Sequence, residues 1–267
     1  MRVAWAALAA AMLLPMAAQA SDSSTPKALA VPRARIESAD YRASGHLVRV
    51  DANGARISSP IEIKAHWFPG VLRVKLEIAN APKTGPDSLV IVRILTNVLL
   101  EMRPGGKSTI LLAHPGDKAA AVLPFDKWSD GPLGNEFSYE DFLEAQYFWA
   151  NQTALDEAKF GARDCNVVKS TPGPADKSHY AEVTNWLDHS IGFPVHVEKT
   201  LKNGTVKEFT YFGLRQEGGL WSAHQVEAKI RGQAGSTLLI IDHGTPKANL
   251  SLKDFAPEQL THFQDSK

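Results

Sequence analysis

"IEIKAHWF" (61–68), "PG" (69–70) and "VLRVKLEIAN" (71–80) decide the fold class. The first run alternates strictly, with Ile61, Ile63, Ala65 and Trp67 on one side and Glu62, Lys64 and His66 on the other. The second repeats the pattern, setting Leu72, Val74, Leu76 and Ile78 against Arg73, Lys75 and Glu77. A period of two belongs to extended chain, whose successive side chains point to opposite faces. Pro-Gly between the runs reverses the chain, so the segment predicts an antiparallel hairpin with one dry and one wet face.

The same grammar recurs outward from there. "SLVIVRILTNVLLEM" (88–102) is more continuously apolar, as expected of a strand covered on both faces. "RPGGK" (103–107) turns the chain into "STILLAH", and "PGDK" (115–118) turns it again into "AAAVLPF". In the second half, "ALDEAKF", "GARD" and "CNVVKS" suggest one hairpin, and "VHVEKTL", "KNG" and "TVKEFTYFGL" another. "WSAHQVEAKI", "RGQAG" and "STLLIIDH" complete the series. Strands joined by Gly and Asn-Gly turns at this spacing describe a large antiparallel meander. Helical signals are confined to "FAPEQLTHF" near the end and to a stretch after Ser138. With so few helices for cover, the apolar face must close on itself, meet a second sheet, or curl around an apolar guest.

The first twenty residues, "MRVAWAALAAAMLLPMAAQA", carry one basic residue, an apolar run and a closing Ala-Gln-Ala. That is the pattern of a secretory leader cleaved after Ala20, too short for a stop-transfer helix. It predicts an exported, periplasmic, soluble chain of 247 residues with no Cys at the cleavage site for lipid attachment. Residues 21–35, "SDSSTPKALAVPRAR", read as a flexible tether, and 36–267 as a single domain. Without the leader, 28 basic residues face 29 acidic ones, a balance that argues against nucleic acid as a partner. The single Cys165 cannot form an internal disulfide and reads as an inert, buried strand residue.

"GPLGNEFSYEDF" (131–142) gathers three acids and three aromatic rings. Ser138 and Asp141 have the S-x-x-D spacing of a capping box at a first helical turn, and Phe142, Gln146 or Ala145, and Trp149 follow at helical spacing. On that reading Asp141 is a cap, and Glu136 and Glu140 favour the positive end of the turn. Catalytic signatures are missing: no G-x-S-x-G elbow, no H-E-x-x-H, no phosphate-binding loop. The nine histidines are scattered; His66, His196 and His224 fall on strands, where a solvated or hydrogen-bonded ring is ordinary. No catalytic residues, no metal and no cofactor are expected.

The same motif resembles the "G-S-D-F-S-Y-E-D-L" stretch of the LolA-like outer-membrane lipoprotein-sorting family, which is related to the LolA, LolB and MucB periplasmic proteins. "ALDEAKFGARDCNVVKS" is similar to that family's hairpin before its Cys-containing strand, and the chain from His179 to Ala228 is similar to its remaining half. The likeness runs from about Tyr41 to Leu260. It implies a fold that is mainly β with few helices (α+β): a strongly curved antiparallel sheet forming a half-open β-barrel with short covering helices. Its concave face would receive acyl chains, with Ile61, Ile63, Trp67, Leu72, Leu76, Ile78, Val195, Val197, Val226 and Ile230 as groove candidates beside Ala228. Phe137, Ser138, Tyr139 and Asp141 would form a structural corner of the cradle. Only "VPRARIESADYR" is available for an N-terminal helical lid, two or three turns at most.

The resemblance implies a carrier of lipid or lipoprotein acyl chains, with an inner-membrane exporter or outer-membrane acceptor as protein partners. The alternatives are an envelope-stress sensor or adaptor that binds the exported segment of a membrane protein, in the manner of MucB, and a hydrolase with a dispersed site.

Overall fold

The computed structural model describes residues 26–80 and 94–263, so the leader, residues 21–25 of the expected tether and residues 88–93 of the expected apolar strand lie outside the described residues. One helix, α1 (Ala30–Glu37), precedes β1 (Asp40–Val50). β2 (Arg56–Phe68) and β3 (Val71–Ala79) form the expected hairpin, turning at Gly70 with φ of 75°. β4 (Ile94–Met102), β5 (Thr109–Ala113) and the two-residue β6 (Ala121–Val122) continue the meander. After residues 123–150 come β7 (Asn151–Ala154), β8 (Ala158–Phe160), β9 (Arg163–Thr171), β10 (Tyr180–Asp188) and β11 (Pro194–Leu201). The series closes with β12 (Val206–Glu217), β13 (Leu220–Ile230) and β14 (Ser236–Pro246).

All belong to one antiparallel sheet of order β6-β5-β4-β3-β2-β1-β14-β13-β12-β11-β10-β9-β7, with β8 on the remaining length of β9. Neighbours are sequential except β9 and β7, with β8 lying farther along β9, and β1 and β14, which join the N-terminal and C-terminal halves. Among the described residues the two ends do not pair with each other, so the sheet is a curved, half-open barrel rather than a closed one. The strands at those ends are short, which leaves little free edge for another chain to extend.

Curvature is built in where the halves meet. Opposite Ser44 and Gly45 the register of β14 skips Asp242, a β-bulge. A Cβ on Gly45 would sit 1.9 Å from the Ile240 carbonyl oxygen, so only glycine lets the bulged strand approach this closely.

The dry side of the hairpin faces inward: Ile61, Ile63, Leu72, Val74, Leu76 and Ile78 are all buried in the main core. β4 is covered twice, as its continuous apolarity predicts. Val98, Leu100 and Met102 enter the main core, while Leu99 lies under Phe255 and Leu260 on the outer side. Those two come from turns of 3-10 helix, Leu252–Phe255 and Pro257–Thr261, the short form taken by the expected C-terminal helix.

Residues 123–150 link the two sheet ends and lie over the concave face. Trp128, Phe137, Tyr139, Leu143, Tyr147 and Trp149 from this link all belong to the main core cluster. The concave face is therefore filled partly by its own connection.

Two expectations change here. The tether reading of residues 21–35 fails from Lys27 on: a 3-10 turn (Lys27–Leu29) runs into α1, with Leu29 and Ile36 buried. Single polar residues hid a short stripe (Leu29, Pro32, Ile36) at helical spacing, and tertiary burial stabilises a helix too short to stand alone. The helix expected after Ser138 is instead two 3-10 turns, Tyr139–Leu143 and Ala145–Phe148. They break at Glu144, which takes the left-handed conformation (φ 46°, ψ 32°) and gives its carboxylate to Arg35.

Candidate functional site

The inward positions of β11 and β12 follow from strand parity. Val195, Val197 and Lys199 share one side of β11; Lys207, Phe209 and Tyr211 share one side of β12. Lys199 and Lys207 are direct cross-strand partners. Two like charges opposite each other on a dry face repel, and neither can reach water to be screened. An anion must lie between them, and the 123–150 link supplies it.

That anion is Asp141. Its side chain is 2% exposed, and those of Lys199 and Lys207 are 5% and 6%. Oδ1 accepts from Lys199 Nζ at 2.8 Å and from the Tyr180 hydroxyl at 2.7 Å. Oδ2 accepts from the Ser138 amide and hydroxyl, each at 2.8 Å, and from Lys207 Nζ. Burial by itself would raise the Asp141 carboxyl, but the two ammonium groups outweigh it and hold it well below the ordinary carboxylate range. Burial lowers Lys207, with Asp141 pulling the other way, and burial pushes the Tyr180 phenol well up.

The capping box is present, yet capping is the lesser part of what Asp141 does. Nor do the flanking acids serve a helix end. Glu140 binds the Ser178 hydroxyl, the His179 amide at 3.2 Å and the His179 Nδ1 at 3.0 Å. Glu136 accepts from the Thr237 hydroxyl on β14. The three acids thus pin the link to three places on the sheet wall: β11 and β12, the entry to β10, and β14. Phe137 packs edge-on against Phe209 at 5.6 Å, and Tyr139 is buried in the core.

Beside this cluster lies a cavity of about 270 Å³. Its walls are mostly apolar, including Ile63, Leu72, Val74, Phe209, Tyr211 and Val226, with Asp141 and Lys199 on one side. Arg35 and Ile36 of α1 line it too, so the helix is part of the wall. The helix is held there by Arg35, whose Nη2 donates to both Glu144 oxygens at 2.8 Å, and by Arg33 Nε, which donates to the Tyr147 carbonyl at 2.6 Å.

Of the ten groove candidates, the structure brings Ile63, Leu72 and Val226 to this cavity. Ile61, Leu76, Ile78 and Val197 are fully packed in the core instead. Trp67 stacks on Phe148 at 5.9 Å, Val195 is buried, and Ile230 is half-buried at the end of β13. Strand parity picks the inward face but not the depth, and the link fills most of that depth. The same parity would have found Lys199 and Lys207, each in register with apolar neighbours; an inward lysine is the signal that was available.

A second hollow, about 860 Å³, lies on the outer face and is lined by His46, Glu62, Lys75, Asp242 and His262 among others. Among the described residues no group of three or more His, Cys, Asp or Glu is placed to hold a metal. His196 is hydrogen-bonded to Thr210 at 3.3 Å and stacked on Phe160 at 4.4 Å. Cys165 is buried and its thiol raised, first by burial. Among the described residues no helix is long and apolar enough to cross a membrane.

Three solved structures share this architecture. A Vibrio parahaemolyticus domain assigned to outer membrane lipoprotein sorting superposes with a TM-score of 0.74 at 22% identity, covering 86% of this chain and 95% of its own. A DUF1329 family protein from Desulfovibrio piger gives 0.71 at 14%, covering 87% and 96%. A LolA superfamily protein from Nitrosomonas europaea gives 0.61 at 14%, covering 88% and 99%. At such identities the likeness speaks for the fold. No curated protein matches the chain. A family model described as "Uncharacterized protein" matches residues 127–262, from the pinned link to the C-terminal turns. That span is just over half of the chain, so the protein belongs to this family, and its fold is the half-open barrel that it shares with these three structures.

Proposed function

We propose that this protein is an exported carrier that shelters an apolar chain, of a lipid or a lipoprotein, on the concave side of its sheet. The observation that carries the reading is the cavity beside Asp141 and Lys199, mostly apolar in its walls and left open by a link that fills the rest of the concave face. Each methylene moved from water into such a space gains about 0.8 kcal/mol, so eight of them contribute roughly 6 kcal/mol before the costs of binding. Ligand clefts commonly measure about 300–1,000 Å³. At about 270 Å³ this one suits a single chain; a larger cargo needs α1 or the link to move. The leader pattern of residues 1–20 supports a periplasmic location, and the fold likeness supports a binding rather than a chemical role.

The test is native mass spectrometry of protein isolated from its own periplasm, followed by lipid extraction. A bound single-chain lipid is expected. A protein that is empty as isolated, and that takes up no added chain, refutes the reading.

A further inference from the structure

The cavity is not uniformly apolar, and its polar side is unbalanced. Lys199 and Lys207 share one carboxylate. Among the described residues no second carboxylate hydrogen-bonds to them: Glu140 acts on Lys207 only through its charge, its oxygens being bound by Ser178 and His179. The other charged groups of the wall pair among themselves or with a neighbour, Arg35 with Glu144 and Glu217 with Arg215 at 3.1 Å.

The two lysines differ in how well they are satisfied. Lys207 reaches Asp141 and, at 3.3 Å, the Tyr180 hydroxyl. Lys199 makes one hydrogen bond among the described residues, to Asp141, although an ammonium has three donors. Its Nζ otherwise lies over the rings of Phe209, at 4.7 Å, and Tyr180, at 5.3 Å, a partial compensation. Of the two, only Lys199 lines the cavity.

A nearly buried ammonium with spare donors at the wall of an apolar cavity fits an anion that arrives with the ligand. The cavity takes one chain, and the directly bonded trio of Lys199, Lys207 and Asp141 has one positive charge in excess. Resting on the carrier reading above, we infer that the occupant is a singly charged amphiphile, a long-chain carboxylate, whose head group is received by Lys199. The carboxylate would accept the spare donors, complete a two-plus, two-minus cluster, and leave its tail against Leu72, Val74 and Val226. A neutral chain fills the same walls but leaves the ammonium as it is.

The test compares dodecanoate with dodecanol as competitors of a neutral naphthylamine fluorophore, at about pH 8, where the acid is ionised. The acid is expected to bind about tenfold tighter or more, the worth of one charge-assisted hydrogen bond. Lys199→Met leaves the Asp141–Lys207 pair balanced; it should abolish the preference while keeping dodecanol binding. Lys75→Met, at a buried lysine of the outer face, should leave the preference intact. Equal binding of acid and alcohol by the unaltered protein, or a preference that survives Lys199→Met, overturns the inference and leaves the carrier reading standing. Binding of neither competitor overturns both. The head-group comparison on the unaltered protein decides the matter even if the variant does not fold.

Discussion

Replacing Asp141 by Asn separates two roles that differ in size. If the residue only caps a turn, its loss costs about 0.5–2 kcal/mol. In the structure its carboxylate takes five donors and is the shared counter-ion of Lys199 and Lys207, all three side chains at most 6% exposed. Removing one partner of a buried ion pair strands the other charge and costs about 3–5 kcal/mol. Asp141→Asn strands two lysines that sit directly across from each other, so the upper part of that range is expected. The assay is urea unfolding followed by tryptophan fluorescence, with buried Trp128 and Trp149 as reporters, comparing midpoints at an unchanged slope. Adding Lys207→Met to Asp141→Asn should recover part of the loss, since it removes one stranded charge. The deficit also depends on pH with a definite sign. The depressed Asp141 carboxyl contributes its full stabilisation above about pH 4, the unfolded value, and loses it as pH falls through the lower native one. Lys207, lowered by burial from 10.5, binds less proton when native than when unfolded in the interval between the two values, so stability there rises with pH. Asp141→Asn widens that interval, and its deficit should shrink toward about pH 10. A loss under about 2 kcal/mol with no rescue by Lys207→Met would refute the ion-cluster account and return Asp141 to the status of a cap.

Gly45→Ala should destabilise by about 1–3 kcal/mol or more, read by thermal unfolding, because the new methyl meets the Ile240 carbonyl at the bulge joining the two halves. A neutral result would mean that the bulge does not need glycine. Arg35→Ala should loosen α1 with little global effect, about 1 kcal/mol, since the Arg35 and Glu144 side chains are 24% and 26% exposed. Faster hydrogen exchange at residues 30–37 with a nearly unchanged unfolding midpoint is the expected outcome; unchanged exchange would show that Leu29 and Ile36 hold the helix without the ion pair.

The sheet was legible because its instructions are local. Alternation at Ile61–Phe68 and Val71–Ala79, with Pro-Gly between, specifies a hairpin whatever surrounds it, and the doubly apolar run ending at Met102 announces a strand covered on both sides. The S-x-x-D spacing of Ser138 and Asp141 likewise marks a turn before any contact is known. For the N-terminal segment the sequence allows two or three helical turns without deciding whether they form, because the apolar stripe of α1 is only three residues long and such a helix exists only by docking. The groove candidates were harder to order: a period of two gives the side of a strand but not what covers it, so the pattern alone cannot tell Leu76, Ile78 and Val197, packed in the core, from Leu72 and Val226, which line the cavity.

By itself, the sequence determined the strands, the turns, the capped corner and the likeness to a half-open barrel, since period, turn chemistry and motif are properties of neighbours along the chain. Only the tertiary structure decided that Asp141 would stand between Lys199 and Lys207. Those residues are 58 and 66 positions away, and the charges of a buried cluster interact through space. It decided as well how much of the concave face stays open, because that depends on where a connection of nearly thirty residues comes to rest. A single Asp reads as a cap when its neighbours are Ser and Glu; opposite two dry lysines, the same carboxylate holds the wall of the barrel together.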